Sequence, residues 1–105
     1  MPTNTNRIEA TYETAYRASG VISFIKGGNC VTAELNGFRL SRTITTRVKI
    51  GTIPTNCRPP QTTYMITTDT SFIYLLFMTN GDILFNPPGT TGRGYWGTCS
   101  WAMLT

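Results

Sequence analysis

Residues 72–86 read FIYLLFMTNGDILFN: an apolar run, the pair Asn80-Gly81, and a second apolar run. Short apolar runs bounded by turn residues are strands. Asn-Gly is the strongest short hairpin signal, because both residues tolerate the positive φ that a type I′ turn requires. The stretch predicts two antiparallel strands folded back on each other at Asn80 and Gly81. In the first strand Phe72, Tyr74, Leu76 and Met78 share one face and Ile73, Leu75 and Phe77 the other, so both faces are apolar. An antiparallel sheet commonly packs one face on the core and wets the other. A strand dry on both sides therefore predicts that a neighbouring subunit covers the outer one. SWAML, residues 100–104, is apolar in the same two-sided way.

The sequence on either side of this hairpin adds more strands. GVISFIKGGNCVTAEL, residues 20–35, predicts a hairpin turning at Gly27-Gly28-Asn29. TITTRVKI, residues 43–50, alternates Ile44, Val48 and Ile50 against Thr43, Thr45, Arg47 and Lys49, a half-buried strand. TTYMITT, residues 62–68, is short and β-branched, and GYWGTCSWAML, residues 94–104, reads as a strand broken or bulged at Gly97. Between the second and third of these segments lies GTIPTNCRPP, residues 51–60. Its prolines fix φ and hold Ile53, Arg58 and Pro59 extended, so it is too stiff for a tight hairpin. It predicts a rigid crossing from one sheet to another. No 3.6-residue period is sustained anywhere. The fold class is all-β: a compact antiparallel β-sandwich or jelly-roll-like barrel of about eight short strands. Residues 1–10, polar and without period, form a lead-in or linker, and 11–105 a single domain.

Composition narrows the functional classes. Of 105 residues only 13% are charged, against roughly 25% in ordinary soluble domains. The surface must be Thr, Asn, Ser and Gly, or partly buried against a partner. The net charge of +4 comes from seven Arg and two Lys dispersed along the chain. With no basic run, nucleic acid is not the expected partner. Cys30, Cys57 and Cys99 are far apart, odd in number and without a CxxC pair, and are read as reduced core or interface residues. A chain lacking histidine offers no fourth zinc ligand, so neither metal nor cofactor is expected. The longest apolar run, 72–78, is far short of the ~20 residues that span a bilayer. Residues 1–7 lack a signal-peptide core, so the chain is expected to be made in the cytoplasm.

Catalysis is poorly provided for. Without histidine there is no Ser-His-Asp or Cys-His nucleophile. GTTGRG, residues 89–94, lies between strands and opens no helix, so it is not a phosphate loop. Asp69 and Asp82 could pair as glycosidase carboxylates, but the intervening strand, rising ~3.3 Å per residue, holds them beyond the ~9.5 Å such pairs tolerate. A non-enzymatic role is expected. Binding groups are better represented: Trp96, Tyr95 and Arg93 stand among Gly92, Gly94 and Gly97, where an aromatic face stacks on a sugar ring or a base and Arg or Asp reaches hydroxyls or phosphates. Trp101, flanked by Ala102, Met103 and Leu104, reads instead as packing.

The order VKIGTIPTNCRPPQTTYM (48–65), an apolar strand, NGDILFNPPG (80–89) and an aromatic near the C-terminus resembles the head domain of phage tail receptor-binding proteins. The pattern Gly-x-Ile-Pro-x-x-x-Arg-Pro is matched by Gly51, Ile53, Pro54, Arg58 and Pro59, and the Asn-Gly hairpin by Asn80 and Gly81. The resemblance implies a trimeric β-sandwich on the virion tail that binds host cell-surface saccharide and joins other tail or baseplate proteins. It carries over no sugar-contacting motif. Trp96, Tyr95, Arg93 and Asp69 are the candidate saccharide residues, and Arg58 is read as structural, pairing with backbone carbonyls or a carboxylate. A ligand-free trimerising fibre cap and a single-stranded nucleic-acid-binding barrel are the alternatives. An open polar cleft lined by Trp96 or Tyr95 would favour binding over the cap.

Overall fold

The computed structural model describes residues 7–68 and 73–103, and among them the chain is all-β. Its strands are β1 (Arg7–Glu9), β2 (Thr11–Tyr12), β3 (Arg17–Gly27), β4 (Cys30–Leu40), β5 (Val48–Thr52), β6 (Thr63–Ile66), β7 (Tyr74–Phe77), β8 (Asp82–Phe85) and β9 (Gly94–Ala102). They form two antiparallel sheets, β1-β3-β4-β9 and β2-β5-β8-β7-β6. The order β5-β8-β7-β6, three strands in succession plus one returning by a long connection, is a Greek key. Residues 7–9, part of the expected lead-in, add an edge strand to the first sheet.

Alternation sorts the core. Ile22, Phe24, Val31, Ala33, Leu35, Tyr95 and Trp101 point inward from one sheet, and Ile50, Met65, Leu75, Phe77, Ile83 and Phe85 from the other. Aromatic rings meet across the gap, Phe24 edge-on to Phe77 at 5.9 Å and Phe85 edge-on to Tyr95 at 5.2 Å. Each such buried side chain contributes about 1.5–3 kcal/mol.

Three of the expected elements differ in detail. The Asn80-Gly81 hairpin forms, but as a three-residue loop rather than a type I′ turn. Gly81 N–H donates to the Met78 carbonyl at 3.0 Å, Met78 N–H to the Asp82 carbonyl at 2.9 Å, and Gly81 takes the positive φ, 99°. This is a type I turn closed by a glycine bulge. The strand predicted over 43–50 begins only at Val48, and Ile44 makes an isolated bridge to Gly89. β9 runs unbroken through Gly97. The bulge lies opposite, on β4: Leu35 pairs with Gly97 and Phe38 with Tyr95, leaving Asn36 and Gly37 both facing Trp96.

GTIPTNCRPP does not cross between sheets, because β5 and β6 belong to the same one. It spans one end of the sandwich, past β8 and β7. Ile53 N–H donates to the Gly81 carbonyl at 2.7 Å, Cys57 is buried, and the Cys57 carbonyl accepts from Trp101 Nε1 at 2.9 Å. The proline-stiffened segment thus stitches the two sheets at that end. Among the described residues Arg58 pairs with no carbonyl or carboxylate. Its guanidinium packs over Gly81, and its Nε is buried without a hydrogen-bond partner.

The doubly apolar strand is resolved by register. Leu75 and Phe77 enter the core; Tyr74 and Leu76 face outward, Leu76 between Tyr64 and Leu84. Tyr64 stacks on Tyr74 with ring centroids 5.5 Å apart. With Tyr64 62% and Ile66 66% exposed, the outer face of the five-stranded sheet is an apolar patch. The Lys49–Asp82 ion pair at 3.2 Å stands at its edge. Phe72 lies outside the described residues.

Candidate functional site

The outer face of the four-stranded sheet has the opposite character. Alternation on β4 and β9 turns Thr32, Glu34 and Asn36 outward beside Trp96, Thr98 and Ser100. At its edge the β4 bulge makes room for a large ring. Trp96 is 49% exposed, and its six-membered ring lies back along β9 over Gly94, close enough that a methyl group on Gly94 would stand 2.7 Å from Cη2. Only glycine there leaves room for the indole in this position. The Trp96 carbonyl accepts from Thr68 N–H at 2.9 Å, which ties the end of β6 to β9.

A cleft of about 270 Å³ opens at this corner, its lining including Glu34, Asn36, Thr68, Trp96 and Thr98. Glu34 is fixed from one side: Arg7 Nη1 donates to Glu34 Oε1 at 2.7 Å and to Ser23 Oγ at 2.8 Å. Glu34 Oε2 and the Asn36 amide have no partner among the described residues. Thr98 Oγ1 donates to the Ala33 carbonyl at 3.1 Å and Thr68 Oγ1 to the Trp96 carbonyl at 3.4 Å, so both hydroxyl hydrogens are already directed at backbone. A stacking ring beside several fixed polar atoms is what a shallow saccharide site requires.

The sequence candidates divide. Trp96 lines the cleft. Tyr95, 1% exposed, points into the core, where its hydroxyl accepts from Thr90 N–H at 3.1 Å; it presents no face to a ligand, because adjacent residues of a strand point to opposite sides. Arg93 is exposed in the loop entering β9 and is not among the lining residues. Asp69 lies outside the described residues. Glu34 and Asn36 were missed in the sequence because they come from a hairpin strand some 60 residues away, brought beside Trp96 by β4–β9 pairing, and Thr98 because its place two residues after Trp96, on the same face, shows only once β9 is known to run unbroken. The alternation of VTAEL is the signal that could have marked Glu34 as outward-facing.

The cysteines take no part. Burial pushes the Cys57 thiol above its ordinary pKa and the Cys99 thiol up to about 12, while Cys30 is exposed at the start of β4.

The sequence matches no protein-family model and no curated protein. Among solved structures, the crystal structure of the head domain of phage bIL170, described with the receptor-binding domains of lactococcal phages, matches with a TM-score of 0.66. The match covers 93% of this chain and 97% of that one at 13% sequence identity. The likeness is one of fold.

Proposed function

We propose that this chain, which has the fold of a phage receptor-binding head domain, recognises a host cell-surface saccharide at the Trp96 cleft. The observation that carries the reading is the half-exposed indole of Trp96, packed against Gly94 beside Glu34, Asn36 and Thr98. A ligand-free cap has no need of an aromatic ring kept out of the core at a polar cleft. The indole supplies the stacking face, and the carboxylate, amide and hydroxyl oxygens meet the sugar hydroxyls.

The proposal includes a homotrimer on the virion tail, attached to other tail or baseplate proteins. The outer face of the five-stranded sheet, with Tyr64, Ile66, Tyr74, Leu76 and Leu84, is the surface copies of the chain would bury against one another. Apart from Thr68, which follows β6, the cleft is lined from the other sheet, so the apolar patch and the Trp96 site look out from different faces. Several weak sites in one particle then gain avidity of about 10²–10⁴-fold.

Binding of purified protein to host cells and to a glycan array tests the reading. Wild-type protein is expected to bind both and Trp96→Ala neither, with the variant still folded. Blank arrays and unbound cells with well-folded wild-type protein would overturn it.

A further inference from the structure

We infer that the Trp96 cleft selects saccharides rich in hydrogen-bond donors, neutral or amino-bearing, and discriminates against anionic ones, with Glu34 as the residue that sets this preference. The inference rests on the saccharide reading and adds the chemical class of the ligand. It follows from the hydrogen-bond ledger of the cleft.

Glu34 is the one ionisable side chain among the described lining residues. An ionised carboxylate only accepts hydrogen bonds. Arg7 occupies Oε1, and Oε2 is open toward incoming donors. The hydroxyl hydrogens of Thr98 and Thr68 are spent on the Ala33 and Trp96 carbonyls, so what these residues offer a ligand is oxygen lone pairs. Among the described lining side chains, uncommitted donors are left only on the Asn36 amide and the Trp96 indole Nε1–H. The wall facing the indole is therefore acceptor-rich, and its one carboxylate is ion-paired with Arg7 through Oε1 only.

A sugar hydroxyl donates as well as accepts, and an ammonium only donates, so both suit such a wall. A phosphate or uronate oxygen only accepts, and it would meet the Glu34 carboxylate as a like charge. The nearby arginines do not reverse this. Arg7 offsets part of the Glu34 charge but directs Nη1 at Ser23 and Glu34, Arg39 Nη1 donates to the Gly92 carbonyl at 2.9 Å, and neither these nor Arg93 lines the cleft, so the Glu34 oxygen is what a ligand meets there. The overall charge of +4 attracts anions diffusely, a contribution that ~0.15 M salt screens within about 8 Å.

The test is a glycan array carrying neutral, amino-bearing and anionic bacterial glycans of matched length, read at 0.15 M salt with wild type, Glu34→Gln, Glu34→Lys and Trp96→Ala. Wild type is expected to bind neutral or amino-bearing glycans at least about tenfold more tightly than anionic ones. Glu34→Gln is expected to narrow that gap and Glu34→Lys to reverse it, while Trp96→Ala loses binding to all. Trp96-dependent binding of anionic glycans equal to or tighter than that of the others would overturn the inference and leave the saccharide reading standing. The same holds for a preference unchanged by Glu34→Lys. An array on which no glycan binds through Trp96 would instead remove the saccharide reading, and this inference with it.

Discussion

The indole of Trp96 rests on Gly94, two residues earlier on the same face of β9, with no room for a methyl group between them. One glycine thereby fixes the direction of the ring that carries the proposed binding. The neighbouring bulge, with Gly37 at φ 63°, sets the other border of the same ring.

Gly94→Ala is expected to lift the indole from the strand and weaken glycan binding while the fold is retained. A Cβ placed 2.7 Å from Cη2 and 2.9 Å from Cζ3 forces the ring, rather than the buried core, to move. Intrinsic tryptophan fluorescence should change along with affinity. Unchanged binding would show that the orientation of Trp96 is irrelevant.

Charge placed on the two sides of β7 should have different consequences. Leu75→Asp buries an unpaired carboxylate among core residues and is expected to prevent folding, since desolvating a charge costs several kcal/mol. Ile66→Asp, on the exposed outer face, is expected to give folded monomer, with Leu76→Asp weakening the trimer as well. Thr45→Asp, on an exposed loop, should change stability by no more than ~0.5 kcal/mol. Light scattering and urea denaturation separate the cases; a wild-type chain that is monomeric at micromolar concentration would exclude the trimer.

At the hairpin tip, Gly81→Ala is expected to destabilise by ~1–3 kcal/mol. The position has φ 99°, and an added Cβ would stand 2.6 Å from Arg58 Nε. Arg58→Ala in the same background should recover the steric part of the loss and leave the backbone part. Equal stability of Gly81→Ala and wild type in urea would refute the packing role assigned to Arg58.

Alkaline pH should destabilise the fold. Burial raises the Cys99 thiol from 9.0 to about 12 and the Tyr12 hydroxyl from 10.0 to about 12. From pH 9 upward the unfolded chain releases protons that the folded chain keeps, so stability is undiminished below pH 9 and falls as pH rises toward 12. The urea midpoint should drop across that range, and Cys99→Ala should lessen the drop. A flat profile would contradict the burial of both groups.

The strands were legible where a two-residue period met a turn signal. Residues 20–35 and 72–86 each encode a hairpin locally, and both form. What escaped the sequence depends on pairings between distant segments. Whether 51–60 joins two sheets or spans the end of one is decided by where β6 docks, and nothing within the segment records it. The site shows the same division. Trp96 was identifiable as an aromatic ring among glycines, but its neighbour Tyr95 could be assigned to the core only once the inward face of β9 was known. Glu34 joined the site through strand pairing rather than through any motif.

Amide and indole NMR signals of ¹⁵N-labelled protein, followed during titration with bacterial cell-surface polysaccharide fragments, test the central claim most directly. The two tryptophans give the comparison within one spectrum, because Trp101 Nε1–H is held by the Cys57 carbonyl in the interior and Trp96 stands at the cleft. The Trp96 indole and the amides of Glu34, Asn36, Thr68 and Thr98 are expected to shift while the Trp101 indole stays in place. Saturable shifts confined to the outer face of the five-stranded sheet, with Trp96 unmoved, would contradict the account.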